Sequence, residues 1–247
     1  MPSTLQIRQP ADGYRFSIDP LILAWHLTPP TSVQGTAAAH GLDIGTGCGI
    51  IPIILASHYS HIQMTGIEIQ AQLVAFAVQN ITINRLSHRI RIEHRDIRSV
   101  HSLTQGPADF ITCNPPHTAR AAGRINPDSQ RAVARHEIRM TLADLLAAAS
   151  RLLQTGGRLL TIYTAARKAE ILSQMPGYEL FPQNHRMIHF KAGQPAARFL
   201  LEAVKGAPLH PEKSLPPLYI QHAGGAYTDE ALAIFEFAGL SDTDTSL

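Results

Sequence analysis

The stretch "GLDIGTGCGIIPIILASHY", residues 41–59, changes character twice along its length. A short apolar run ends in Gly45, Gly47 and Gly49 at alternate positions, and a longer apolar run then continues without glycine. The spacing predicts a buried strand, a glycine turn and a helix. A turn of this kind lets backbone pass close to a ligand held at the carboxyl end of the strand. Its G-x-G-x-G pattern differs from the G-x-G-x-x-G of dinucleotide sites, and no Gly-Lys-Ser/Thr follows as a phosphate-binding loop requires.

The same alternation extends outward. "IQMTGIEI" reads as the next strand and "AQLVAFAVQNITIN" as a helix with apolar residues at helical spacing. "RIRIEHRD" and "ADFITC" predict two more strands. "TLADLLAAASRLL" predicts a helix capped by Thr141, with Asp144 three residues on. "GRLLTIYT" and "ARKAEILSQM" add a strand and a helix, and the short run "PLILAWHL" before residue 41 predicts a helix packed on the domain. Towards the end, "YELFPQNHRMIHF" and "ARFLLEAV" predict a hairpin. Strands alternating with helices imply a mostly parallel sheet covered on both faces.

Two acidic residues fall at the ends of predicted strands. Glu68 closes the second, where a carboxylate can accept both hydroxyl hydrogens of a ribose. Asp96 follows the third, within reach of an adenine amino group. Each residue taken singly also fits a solvated strand end.

Taken in order, "LDIGTGCGIIPIILA", Glu68, Asp96 and "CNPPH" resemble the motifs of class I methyltransferases that use S-adenosyl-L-methionine. The resemblance spans residues 9–204. It implies an α/β, Rossmann-like, doubly wound fold: a seven-stranded mostly parallel sheet with an antiparallel edge strand. In such enzymes the glycine turn approaches the methionine part of the cofactor, which makes Asp43, Gly45 and Gly47 candidate cofactor residues. Glu68 is then expected at the ribose and Asp96 at the adenine.

The motif "NPPH" would supply the chemistry. An exocyclic amine is a poor nucleophile while its lone pair is delocalised, and two acceptors aimed at its hydrogens would localise that pair. The Asn114 side-chain carbonyl and the Pro115 backbone carbonyl suit this role. Pro115 and Pro116 would hold the geometry, since each fixes one φ angle. A misplacement of about 1 Å can cost on the order of a hundredfold in rate. The motif resembles the Asn-Pro-Pro-aromatic signature of amino-methyltransferases, with His117 standing where the family has Tyr or Phe. Imidazole is flat and can stack on a base. Asn114, Pro115, Pro116 and His117 are therefore the expected catalytic set, with Asn114 also facing the cofactor.

After this motif come Arg120, Arg124, Arg131, Arg135 and Arg139, opposed only by Asp128 and Glu137. Arginine planes suit phosphate contacts and base stacking. A second arginine-rich stretch, residues 85–98, is expected to be a solvated face. "QPADGYRFSIDPLILA" and "GRINPDSQRAVARHE" resemble the bacterial tRNA adenine-N6 methyltransferases that modify the adenosine beside the anticodon of valine tRNA. That resemblance implies an RNA substrate, with Tyr14, Arg15, Phe16 and Asp19 closing over the cofactor. Arg120, Arg124, Asn126, Arg131, Arg135 and His136 would then flank the RNA. Guanine in rRNA, adenine in DNA and a protein glutamine remain alternative targets, as does a member that binds cofactor without turnover.

The chain has 247 residues, 45% hydrophobic and 16% charged, with a net charge of only +2. This suits a globular domain and gives no overall electrostatic case for nucleic acid. Two well-separated cysteines suit a reducing compartment, and no signal peptide or membrane span is visible, so a cytoplasmic location is expected. No metal site or obligate protein partner is expected. The expected organisation is a cap over residues 1–38, the methyltransferase domain over 39–205 and an extension over 206–247.

Overall fold

The structure, a computed structural model, describes residues 5–10, 17–30, 38–115 and 140–239. Its centre is a sheet whose first five strands are parallel. These are β1 (Ala39–Ile44), β2 (Ile62–Glu68), β3 (Ile90–His94), β4 (Ala108–Cys113) and β5 (Leu153–Thr164). Helices α1 (Asp19–His26), α2 (Ile50–His58), α3 (Ala71–Ile83) and α4 (Leu142–Leu152) flank them. Every residue of β1 is buried, as expected for a strand covered on both faces. The predicted cap of α4 is a full capping box: the Asp144 N–H donates to the Thr141 hydroxyl at 3.1 Å, and the Thr141 N–H donates to the Asp144 carboxylate at 2.8 Å.

Alternate residues along the strands feed two apolar layers. Phe110 of β4 joins Met64, the buried side of α1 and α2, and Ile234, whereas Ile111 joins Leu42, Leu145 and Leu146. Gly41 is what lets β1 and β4 share the first layer. It lies opposite Phe110, and a Cβ at this position would sit 2.3 Å from the Phe110 ring and 2.4 Å from the Met64 sulfur. Gly41→Ala is therefore expected to lower stability by about 1–3 kcal/mol, seen as a fall in thermal midpoint. Phe110→Leu in the same chain should recover part of that loss; an unchanged midpoint for the single variant would show that the ring moves aside freely.

The second half of the sheet departs from expectation. β6 (Leu180–Lys191) and β7 (Arg198–Lys205) form the predicted hairpin, and β7 runs antiparallel to both β5 and β6. The antiparallel strand is thus interior, not at the edge. β8 (Lys213–Ser214) and β9 (Leu218–Gln221) pair parallel to β6, giving nine strands among the described residues in place of seven. Residues 213–214 and 218–221, which follow β7, thus lie in the same sheet. Helices α5 (Lys168–Gln174) and α6 (Asp229–Phe237) complete the described set. Phe237 of α6 stacks on His58 at 3.9 Å and meets Trp25 edge-on at 5.3 Å. The physical reason is the unpaired edge that β6 would otherwise present. No described helix is long and apolar enough to cross a membrane.

The strand order β3-β2-β1-β4-β5 reverses direction between β1 and β4. In such sheets a crevice opens at the carboxyl ends of the two strands where the order reverses. Here Ile44 pairs with Cys113, so the glycine turn after β1 and Asn114 after β4 leave the sheet side by side.

Candidate active site

The glycine turn is built for a close approach. Gly45, Gly47 and Gly49 have φ of 69°, 58° and 84°, left-handed values that side chains rarely adopt. A Cβ on Gly45 or Gly47 would meet nothing within 4 Å among the described residues, which leave the turn open on that side. Its floor is tied down by Glu68. One carboxylate oxygen accepts the Gly47 N–H at 2.9 Å, and the other accepts those of Ile69 and Gln70, also at 2.9 Å. Glu68 is buried, and three of its roughly four acceptor positions are taken. It can accept one further hydroxyl rather than the two expected. Its first task is structural: it joins the turn to the end of β2.

Asp43, two residues before the turn, is 1% exposed. The Thr112 hydroxyl of β4 donates to its Oδ1 at 2.7 Å, while Oδ2 finds no hydrogen-bond partner among the described residues. Burial raises its pKa from 3.8 to about 7, against the stabilising Thr112 hydroxyl, and the nearby Glu68 charge pushes the same way as burial. The sign of the effect follows from linkage. Between 3.8 and about 7 the folded state holds a proton that the unfolded chain has released. Stability therefore falls as pH rises through that window and is level above it. Asp43→Asn is expected to flatten this slope in urea unfolding measured from pH 4 to 8. Parallel curves for the two proteins would refute the assignment.

Asn114 leaves β4 half-buried, followed by the buried Pro115. Its side-chain oxygen is enclosed and accepts no hydrogen bond among the described residues. A buried carbonyl without a donor costs roughly 1–3 kcal/mol. Such a group is commonly retained where a ligand supplies the missing donor. Beside it, Cys113 is held by Thr161, whose hydroxyl donates to the Cys113 carbonyl at 2.9 Å. Burial raises the thiol pKa of Cys48 to about 11 and that of Cys113 well above its ordinary value, so both behave as core residues.

Two expected cofactor residues, Asp96 and Asp19, form ion pairs with arginines of the chain. Asp96 lies two residues beyond β3 and pairs with Arg98, which donates from Nε at 2.9 Å and Nη2 at 2.5 Å. Its other oxygen caps a short 3-10 turn through the Arg98 N–H at 3.0 Å. Arg98 holds its pKa below the usual carboxylate range. Asp96 thus stands just beyond the end of β3 in a local, partly exposed ion pair. Asp19 is fully buried at the start of α1 and binds the Arg198 Nε at 2.8 Å. It anchors α1 to β7. The second arginine-rich stretch is a surface, as expected: Arg91 and Arg95 lie at 3.3 and 3.4 Å from Glu93. Tyr14, Arg15, Phe16, Pro116, His117, Arg120, Arg124, Asn126, Arg131, Arg135 and His136 lie outside the described residues.

Sequence reasoning missed two kinds of residue. Thr112 is invisible because its partner Asp43 is 69 positions away. Asn80 had a usable signal: Asn is a poor residue for a helix interior, yet it sits inside α3, four positions before the C-cap Asn84.

The open glycine turn, the carboxylate that fixes it and the Asn114 oxygen, which accepts nothing from the described residues, fit a nucleoside cofactor and an amine substrate meeting in one crevice. The profile of the methyltransferase small domain family matches residues 22–178. A tRNA1(Val) (adenine(37)-N6)-methyltransferase of Trichodesmium erythraeum is 30% identical over 81% of each chain. A protein of the same name from Porphyromonas gingivalis is 34% identical, covering 70% of this chain and 68% of its own. In structure, a predicted O-methyltransferase from Agrobacterium tumefaciens superposes with a TM-score of 0.65 at 20% identity, over 90% of this chain and 98% of its own. That likeness carries the fold alone. With two thirds of each relative's length aligned and the motifs in order, the chain belongs to the methyltransferase small domain family and is an S-adenosylmethionine-dependent methyltransferase of the class I fold.

Proposed function

We propose that this enzyme methylates the exocyclic N6 amine of an adenine in tRNA, adenine 37 of tRNA1(Val) being the target its relatives carry in their names. The observation that carries the reading is the enclosed Asn114 oxygen, which accepts nothing from the described residues and stands beside the glycine turn. S-adenosylmethionine, when bound, supplies an electrophilic methyl group. Gly45, Gly47, Asp43 and Glu68 are the residues that would hold it.

The chain's own contribution is orientation. The Asn114 oxygen accepts one hydrogen of the adenine amine, and the Pro115 carbonyl accepts the other. Both bonds draw the nitrogen lone pair out of conjugation and aim it across the crevice. Pro115 and Pro116 fix two φ angles, so the acceptors are set before the substrate arrives. No strong base is needed, because the methylated amine loses its proton readily. The target base must be splayed from its stack to reach Asn114. The arginines between residues 120 and 139 would flank the RNA, and His117 would stack on the base. The reaction is placed in the cytoplasm, where its substrate is found.

The test is to supply methyl-labelled S-adenosylmethionine with total tRNA, rRNA, DNA and cell protein in parallel, and to digest the labelled pool. Label recovered as N6-methyladenosine from tRNA supports the reading. Label in another pool keeps the chemistry and replaces the substrate. Cofactor binding with no label in any pool overturns it in favour of a non-catalytic member.

A further inference from the structure

Asn80 is fully buried in α3, and its amide is saturated by backbone from two distant segments. Its oxygen accepts the Arg8 N–H at 2.8 Å. Its nitrogen donates to the Arg8 carbonyl and to the Cys48 carbonyl, both at 2.9 Å. One turn later Asn84 repeats the arrangement with Gln6, accepting the N–H at 3.1 Å and donating to the carbonyl at 2.8 Å. The two periods match. Residues four apart on a helix rise about 6 Å, and residues two apart on an extended chain about 6.6 Å. Two side-chain amides thus do for residues 6–8 what a neighbouring strand would do. Leu5 is buried at the start of this strap, and Pro10 at its end.

Cys48 is the residue between Gly47, whose N–H is held by Glu68, and Gly49, which opens α2 in a left-handed conformation. The glycine turn is therefore gripped from two sides: by Glu68 through Gly47, and by Asn80 through Cys48. Only the second grip reaches the N-terminal strap. We infer that Asn80 is a positioning residue for the cofactor, coupling the docking of residues 5–10 to the shape of the glycine turn. This rests on the turn being the S-adenosylmethionine site. Reciprocity then follows: whatever loosens the strap weakens the cofactor, and cofactor binding tightens the strap.

The probe is S-adenosylhomocysteine, titrated calorimetrically into the full chain, with amide hydrogen exchange read at residues 47–49. Asn80→Ala removes both the strap and the Cys48 contact, and is expected to weaken binding about tenfold, the equivalent of one lost hydrogen bond of about 1.4 kcal/mol. Exchange at Gly49 should quicken. Arg8→Pro removes the N–H that Asn80 accepts, together with an exposed side chain and the freedom of one φ angle, and keeps the Cys48 contact, so it covers the case in which Asn80→Ala fails to fold. It should weaken binding by about two- to fivefold, and bound S-adenosylhomocysteine should slow exchange at residues 6–8 in the parent. Parent-like affinity in Arg8→Pro, or in a folded Asn80→Ala, overturns the inference. A parent protein that does not bind S-adenosylhomocysteine overturns instead the assignment of the turn.

Discussion

Asn114→Ala is expected to lower kcat by at least about a hundredfold, the scale of losing one preorganised hydrogen-bond partner at a reacting group. Affinity for S-adenosylhomocysteine should stay within about twofold of the parent, since other residues hold the cofactor. Stability should not fall, and this is the sharper half of the prediction. The Asn114 oxygen is buried and accepts no bond among the described residues, so its removal takes away an unsatisfied group. A core asparagine with a structural role would behave in the opposite way, losing stability and activity together. Steady-state methyl transfer, calorimetry and thermal unfolding on one preparation distinguish the two. Equal loss of cofactor binding and turnover would mean that Asn114 is structural.

Glu68→Ala should invert that pattern. Three backbone N–H groups, those of Gly47, Ile69 and Gln70, lose a charged acceptor. Hydrogen bonds to charged groups contribute roughly 1.5–3 kcal/mol each. Part of that loss appears as lower stability, and part as a glycine turn no longer held in its binding shape. The dissociation constant for S-adenosylhomocysteine is expected to rise at least about tenfold, while kcat at saturating cofactor changes little. Glu68→Gln keeps one acceptor oxygen and should fall between the parent and Glu68→Ala. Cofactor binding unchanged in Glu68→Ala would remove this residue from the site altogether. The contrast with Asn114 arises from wiring: Glu68 accepts three backbone N–H groups, and the Asn114 oxygen accepts none among the described residues.

The alternation of strand and helix was legible because burial imposes local periods, two along a strand and 3.6 along a helix. The capping box of α4 was legible for a similar reason, since Thr141 and Asp144 find each other three residues apart. The order of motifs was enough to place Gly45, Gly47, Glu68 and Asn114 at strand ends. Asp96 has a local partner of the same kind, since Arg98 lies two residues away and binds its carboxylate.

What the sequence determined by itself is therefore the set of elements, the glycine turn and the chemical type of the residue after each strand. All of these depend on neighbours within a few positions. The tertiary structure alone decided the rest. β8 and β9 are two and four residues long, too short to show a period, and exist because the edge of β6 has unpaired groups to satisfy. The raised pKa of Asp43 comes from burial that only the packed sheet imposes, with Thr112 brought alongside from 69 positions away. The grip of Asn80 on Arg8 and Cys48 spans 72 and 32 positions. Desolvation and long-range pairing have no sequence period, because they are properties of where the folded chain returns.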